Sequence, residues 1–138
     1  MRLAAALFAA TLPIIAAGPA SPSVGWEHGL AAAQKRARAE KKIIFMDLWA
    51  EWCGPCQYLQ KTVFPTPTAQ AALAKVVPLS VMVETRDRTI SAEGKKLAAQ
   101  FNLSGYPTLV MLDADGKVLR RVEGALDPNA LAKFLEGK

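Results

Sequence analysis

The sequence predicts an α/β domain in which a central mixed sheet of about four strands is flanked by helices on both faces. Three observations lead there. Ile43 to Trp49 is an apolar, β-prone run broken only by Asp47, the pattern of a strand covered on both faces. Stretches of helix-forming composition alternate with β-rich runs along the chain. Near the C-terminus, Asp113-Ala114-Asp115-Gly116 separates two β-rich runs, which is a hairpin signal.

The elements follow in order. Trp26 to Glu40 is rich in Ala, Gln, Lys and Arg, good helix formers, with Leu30, Ala33 and Ala37 at helical spacing. His28 falls inside this segment and is read as an ordinary helix residue. The strand Ile43–Trp49 runs into Cys53-Gly54-Pro55-Cys56 and a helix from Gln57 to about Val63. Pro65 and Pro67 interrupt that helix, and Thr68 to Lys75 forms a second, short one. Val76 to Val83 is the next strand, and Glu84 to Thr89 a polar connection. Ser91 caps a helix to about Phe101. Thr108–Leu112 and Lys117–Val122 form the hairpin, Gly124 ends it, and Pro128 opens a last helix through Leu131, Phe134 and Leu135.

Half the chain is apolar (51% of 138 residues), enough for one core without disulfide staples. The formal charge of +5 is mild. Aromatic residues are not interleaved with the basic ones and no nucleic-acid-binding motif is present, so nucleic acid is not an expected partner. The run Lys35, Arg36, Arg38, Lys41, Lys42 reads as a solvated helix face. At the start, Met1-Arg2 precedes an almost unbroken apolar stretch from Leu3 to Ala17, then small residues and prolines. That order is the pattern of a secretory signal peptide, placed at residues 1–20, with the domain at 21–138. The stretch is too short to span a bilayer comfortably. The expected location is therefore the periplasm.

Export sharpens the meaning of the cysteines. There are two, three residues apart. A bridge closing so short a loop removes little chain entropy, so reactivity explains the pair better than stapling. The pair lies after a buried strand and at the start of a helix, where free N–H groups and the helix dipole favour a thiolate. Residues three apart on a helix are neighbours, so one sulfur can resolve a bond made by the other. Pro55 suits the first turn, where a missing N–H costs little. Half a zinc site has the same spacing. With no third cysteine and His28 the only histidine, one chain cannot complete four ligands. Gln57 follows Cys56 where a c-type haem motif needs His. No metal and no cofactor are expected.

The run from Met46 through Asp47, Trp49 and Trp52 to Cys56 resembles the active-site segment of thioredoxins, and Gly105-Tyr106-Pro107-Thr108 resembles the family's cis-proline signature. Asp115-Gly116-Lys117 and Gly124 fit the closing hairpin. The resemblance covers about residues 26–138 and is closest to the exported branch, in the style of the C-terminal domain of the transmembrane thiol–disulfide interchange protein. It implies the thioredoxin-like fold and assigns roles. Cys53 is the exposed nucleophile and Cys56 the buried resolving thiol. Asp47 is the buried carboxylate that handles the Cys56 proton through water. Trp52, Gly54, Pro55, Tyr106 and Pro107 meet the substrate, with Pro107 in cis against the disulfide. Two departures stand out: Gln57 replaces the usual Lys, and Leu79 to Val83 lacks the Lys that faces the carboxylate.

The resulting expectation is a monomeric protein-disulfide reductase, fed by a membrane electron donor and acting on protein disulfides outside the cytoplasm. A Gly-Pro pair between the cysteines resembles the reducing members. The alternatives are a disulfide oxidase or isomerase on the same cysteines, and a client-binding chaperone that needs neither. A peroxidase is disfavoured because Ala50 stands where that chemistry has threonine.

Overall fold

The computed structural model describes residues 24–138; the segment read as a signal peptide, residues 1–20, lies outside them. The elements are α1 (Leu30–Glu40), β1 (Ile44–Ala50), α2 (Gly54–Tyr58), a π-helical turn (Leu59–Val63) and α3 (Pro67–Leu73). They continue as β2 (Val77–Glu84), α4 (Ala92–Gln100), β3 (Thr108–Leu112), β4 (Val118–Glu123) and α5 (Pro128–Glu136). The sheet order is β2-β1-β3-β4. β1 pairs parallel with β2 and antiparallel with β3, and β3 pairs antiparallel with β4.

Strand alternation divides the core in two. Ile44, Met46 and Leu48 pack with Ala33 and Ala37 of α1 and Leu97 of α4 on one face. Phe45, Leu109 and Met111 pack on the other with Leu59 and Val63 of the π turn, Leu73 of α3 and Leu131 of α5. The second layer therefore carries the helix that begins at the cysteines. β4 looks peripheral but reaches both layers. Arg120 donates to the Phe134 and Leu135 carbonyls at 2.7 and 2.8 Å, and Arg121 to those of Phe101 and Asn102. Each guanidinium thus satisfies carbonyls that the C-terminal end of a helix leaves free.

Two expectations require correction. The first helix begins at Leu30, not Trp26. Trp26 is drawn onto Phe64 and Phe45, with centroids 5.0 and 6.1 Å away. The Glu27 N–H donates to the Pro78 carbonyl, and its carbonyl accepts from the Ser80 N–H, both at 2.8 Å. Aromatic burial and added pairing along the outer edge of β2 outweigh helix propensity, which is a weak preference per residue. His28 consequently lies outside the helix, exposed, with Nδ1 3.3 Å from the Ser80 carbonyl. The second correction concerns the helix after the cysteines, which starts at Gly54 and widens into the π turn at Leu59. The proline break stands: Thr66 caps α3 by accepting from the Ala69 N–H, with Pro67 in the first turn.

α4 lies so close to β2 that Gly94 has no room for a side chain. A Cβ there would stand 2.7 Å from Ser91 Oγ and 2.8 Å from the Val83 carbonyl oxygen. Gly94→Ala gains about 1 kcal/mol of helix propensity and loses about 1–3 kcal/mol to overpacking against backbone. The expected outcome is net destabilisation, read as a lower urea midpoint at unchanged m-value.

Candidate active site

β1 ends at Ala50, and the chain turns through Glu51 and Trp52 to Cys53. The turn is pinned from three sides. The Glu51 N–H donates to the Glu84 carbonyl at 2.9 Å, the Cys53 N–H to Ala50 at 3.2 Å, and the Gln57 side chain to the Glu51 carbonyl at 3.0 Å. Cys53 then caps α2, its sulfur accepting the Cys56 N–H at 3.2 Å, with Pro55 in the first turn. A sulfur in the cap position meets N–H groups that the helix cannot use itself, so a negative charge on Cys53 is favoured there.

Cys53 and Cys56 are joined in a disulfide, Cα to Cα 5.3 Å. Cys53 is less open than the resemblance implies: it is 3% exposed and Cys56 is fully buried. Both cysteines cluster with Ala50, with Trp49 and Tyr106 packed against them, while Gly54 and Pro55 are exposed between them. The exposed surface at the disulfide is thus that of Gly54 and Pro55 rather than of either sulfur.

Asp47 is fully buried on β1, and neither carboxylate oxygen has a hydrogen-bond partner among the described residues. It shares a sheet face with Phe45, the face covered by the helical layer that follows Cys56. Its cross-strand neighbours are Ser80 and Leu109. Ser80 thus stands beside the carboxylate on the strand where the family's lysine is missing, and its hydroxyl accepts the Trp49 indole N–H at 2.9 Å. Ser80 and His28 also line an open groove with Trp26, Phe64 and Pro65 on the outer side of β2. Burial pushes the Asp47 carboxyl up to about 7.

The Tyr106–Pro107 peptide bond is cis and Pro107 is buried. Thr108 Oγ1 donates to the Gly105 carbonyl at 2.8 Å, and the Gly124 N–H to the Pro107 carbonyl at 2.9 Å. Gly124 has φ +91°, a backbone conformation that glycine adopts without steric cost. Tyr106 reaches the disulfide and receives the Trp52 ring edge-on, centroids 5.8 Å apart. Burial, then the Glu84 carboxylate, holds the Tyr106 phenol above its usual range. Trp52 remains 40% exposed. Cys53, Cys56 and Tyr106 are therefore brought together, with Trp52 at their margin and Asp47 on the sheet face below the helical layer. Sequence reasoning missed the brace from Gln57, the place of Ser80 and a guanidinium, Arg88, stacked on Trp52. The missing strand lysine was the one signal that pointed near Ser80.

Burial of Asp47 has a measurable consequence. The unfolded chain releases this proton near 3.8 and the folded chain only near 7. The native state therefore binds more protons between those values, so this group's contribution is most favourable below about pH 4 and is lost as pH rises to about 7. The difference is on the order of 4 kcal/mol. In the oxidised protein, Asp47→Ala should gain stability relative to wild type as pH rises from 4 to 8, measured by denaturant titration at each pH.

The thioredoxin-like domain family matches residues 30–137. Thiol:disulfide interchange protein DsbD of Actinobacillus pleuropneumoniae is 34% identical over 104 residues, covering 74% of this chain and 17% of the relative. The Escherichia coli protein of the same name is 31% identical over 107 residues, 76% of this chain and 18% of the relative. The chain thus spans about a sixth of the length of these relatives. Among solved structures, a thioredoxin from Thermus thermophilus aligns with a TM-score of 0.69 at 25% identity, over 83% of this chain and 86% of that one. The oxidised DsbD C-terminal domain of Neisseria meningitidis aligns at 0.67 and 19% identity, over 78% and 90%. With its disulfide at the start of a helix after a buried strand, the chain belongs to the thioredoxin-like family, with Cys53 and Cys56 as its Cys-x-x-Cys pair.

Proposed function

We propose that this protein is a protein-disulfide reductase that acts outside the cytoplasm as a monomer and is recharged by a membrane electron donor. The reducing direction is supported by the resemblance of Gly54-Pro55 between the cysteines to the reducing members of the family, and the exchange chemistry by the capping geometry of Cys53, whose sulfur faces the Cys56 N–H at the helix start. That donor favours the thiolate in the dithiol form. The Cys53 thiolate attacks a sulfur of the substrate disulfide, and the displaced sulfur leaves as a thiolate that takes up a proton. A mixed disulfide joins Cys53 to the substrate. Cys56 then gives its proton through water to the ionised Asp47 carboxylate and attacks Cys53 Sγ, expelling the second substrate sulfur as a thiolate that takes up a proton. The substrate disulfide is reduced by two electrons, and the Cys53–Cys56 dithiol is oxidised to the disulfide.

A carboxyl held near 7 suits a proton acceptor working near neutrality. Trp52, Gly54, Pro55 and Tyr106 form the surface that a substrate meets, and the buried cis Pro107 leaves the Tyr106 backbone free to pair with a substrate strand. The periplasm follows from the segment at residues 1–20 read as a cleaved signal peptide, and the donor from the need of an exported reductant for electrons. The relatives' name, thiol:disulfide interchange protein, supports the same chemistry.

Two measurements test this reading. Equilibration of the pair in dithiothreitol or glutathione buffers should give a potential below about −230 mV, whereas a value above about −180 mV marks an oxidant or isomerase. Cys56→Ser should accumulate a mixed disulfide with insulin on a non-reducing gel, and Cys53→Ser should not. Changing both cysteines to serine should abolish exchange; client binding that survives this loss unchanged would assign the protein to client binding instead.

A further inference from the structure

The connection between β2 and α4 carries a feature that neither the thiol chemistry nor the family motifs require. The Arg88 guanidinium lies over the Trp52 ring, Cζ 3.9 Å from its centroid. Arg88 reaches that position from an unusual backbone, φ +69°, a region where a residue other than glycine is uncommon. The turn around it is tightly knit. The Thr85 N–H donates to the Thr89 carbonyl at 2.9 Å, the Arg88 N–H to the Thr85 carbonyl at 3.0 Å, and Asp87 accepts from the Thr85 hydroxyl and the Thr89 N–H. The same turn is tied to the residue before Trp52, because the Arg86 N–H donates to the Glu51 carboxylate at 2.8 Å.

An ion pair does not explain the placement. Arg88 Nη1 lies 3.5 Å from Glu84 Oε1, a long separation for an ion pair, with the arginine side chain 65% and the glutamate 12% exposed, and a long pair with one partner in solvent contributes little. Stacking explains it better, since guanidinium over indole is the most favourable cation–π arrangement. Trp52 has Arg88 on its face and Tyr106 at its edge. It is joined directly to Cys53, which is only 3% exposed. The orientation of the indole therefore bears on how a polypeptide approaches that sulfur.

We propose that Arg88 is a positioning residue for exchange with protein substrates: stacked on Trp52, it holds the indole beside Cys53 in the orientation an incoming polypeptide meets. The inference rests on the reductase reading and adds a residue to it. Arg88 touches no reacting atom, so its effect passes through Trp52.

A double-mutant cycle tests this, with insulin as the protein disulfide and dithiothreitol as recycling reductant. Arg88→Ala should raise KM for insulin about two- to five-fold, with kcat changed less. Arg88→Lys, which keeps a cation, should recover part of the loss. In a Trp52→Ala background, Arg88→Ala should have no further effect. An unchanged KM in Arg88→Ala, or the same loss in both backgrounds, would overturn the inference while leaving the reductase reading intact. Failure of the wild-type protein to reduce insulin would overturn the reductase reading and this inference with it.

Discussion

The burial of β1 on all sides is the constraint from which the rest of the molecule follows. Its two edges are occupied by β2 and β3, and its two faces by separate helical layers. A strand held this way cannot shift register without moving every apolar side chain to the wrong face. The turn that leaves its C-terminal end therefore starts from a fixed point, and the disulfide inherits that precision. The same enclosure isolates Asp47, whose buried carboxylate meets no hydrogen-bond donor among the described residues. A buried group in that condition is carried most cheaply as the neutral acid, so the strand that secures the site also sets the acidity of the carboxyl within it.

The site combines a strongly determined interior with a lightly held margin. Phe45, Leu59, Leu109 and Leu131 are fully buried, and truncating such residues generally costs several kcal/mol. Around the disulfide, Trp52, Tyr106, Glu84 and Arg88 meet through single contacts, each contributing about 1 kcal/mol or less. Interactions of that size can be rearranged by a binding partner without threatening the fold. The division fits the proposed exchange, in which the sulfurs are held accurately while the rim adapts to different polypeptides.

The central strand, the hairpin, the last helix and the cysteine turn were legible because each is written in neighbouring residues: an apolar run, a Gly-containing turn, a proline at a helix start, a pair of cysteines. Asp47 was legible as a polar interruption of a buried strand. What escaped depends on contacts between distant segments. Trp26 to Gly29 has helix-like neighbours, yet Trp26 is claimed by Phe45 and Phe64 and Glu27 by β2. The polar stretch Glu84 to Thr89 announced a connection, and nothing local revealed that Arg88 crosses to Trp52. Likewise, the near-complete burial of Cys53 arises from Ala50, Trp49 and Tyr106 closing around it, an outcome that spacing within Cys-x-x-Cys does not contain.

The arginines of β4 have a consequence for how the molecule opens. Adjacent residues on a strand point to opposite faces, so Arg120 fastens the end of α5 in one layer while Arg121 fastens the end of α4 in the other. Chain termini are ordinarily the first parts of a domain to fray. Here the final helix cannot detach without surrendering its bonds to the sheet margin, and that margin is shared with the opposite layer. Opening at the C-terminus is thereby coupled to both halves of the core, so the amide protons of α5 should exchange with solvent together with those of β4 rather than ahead of them.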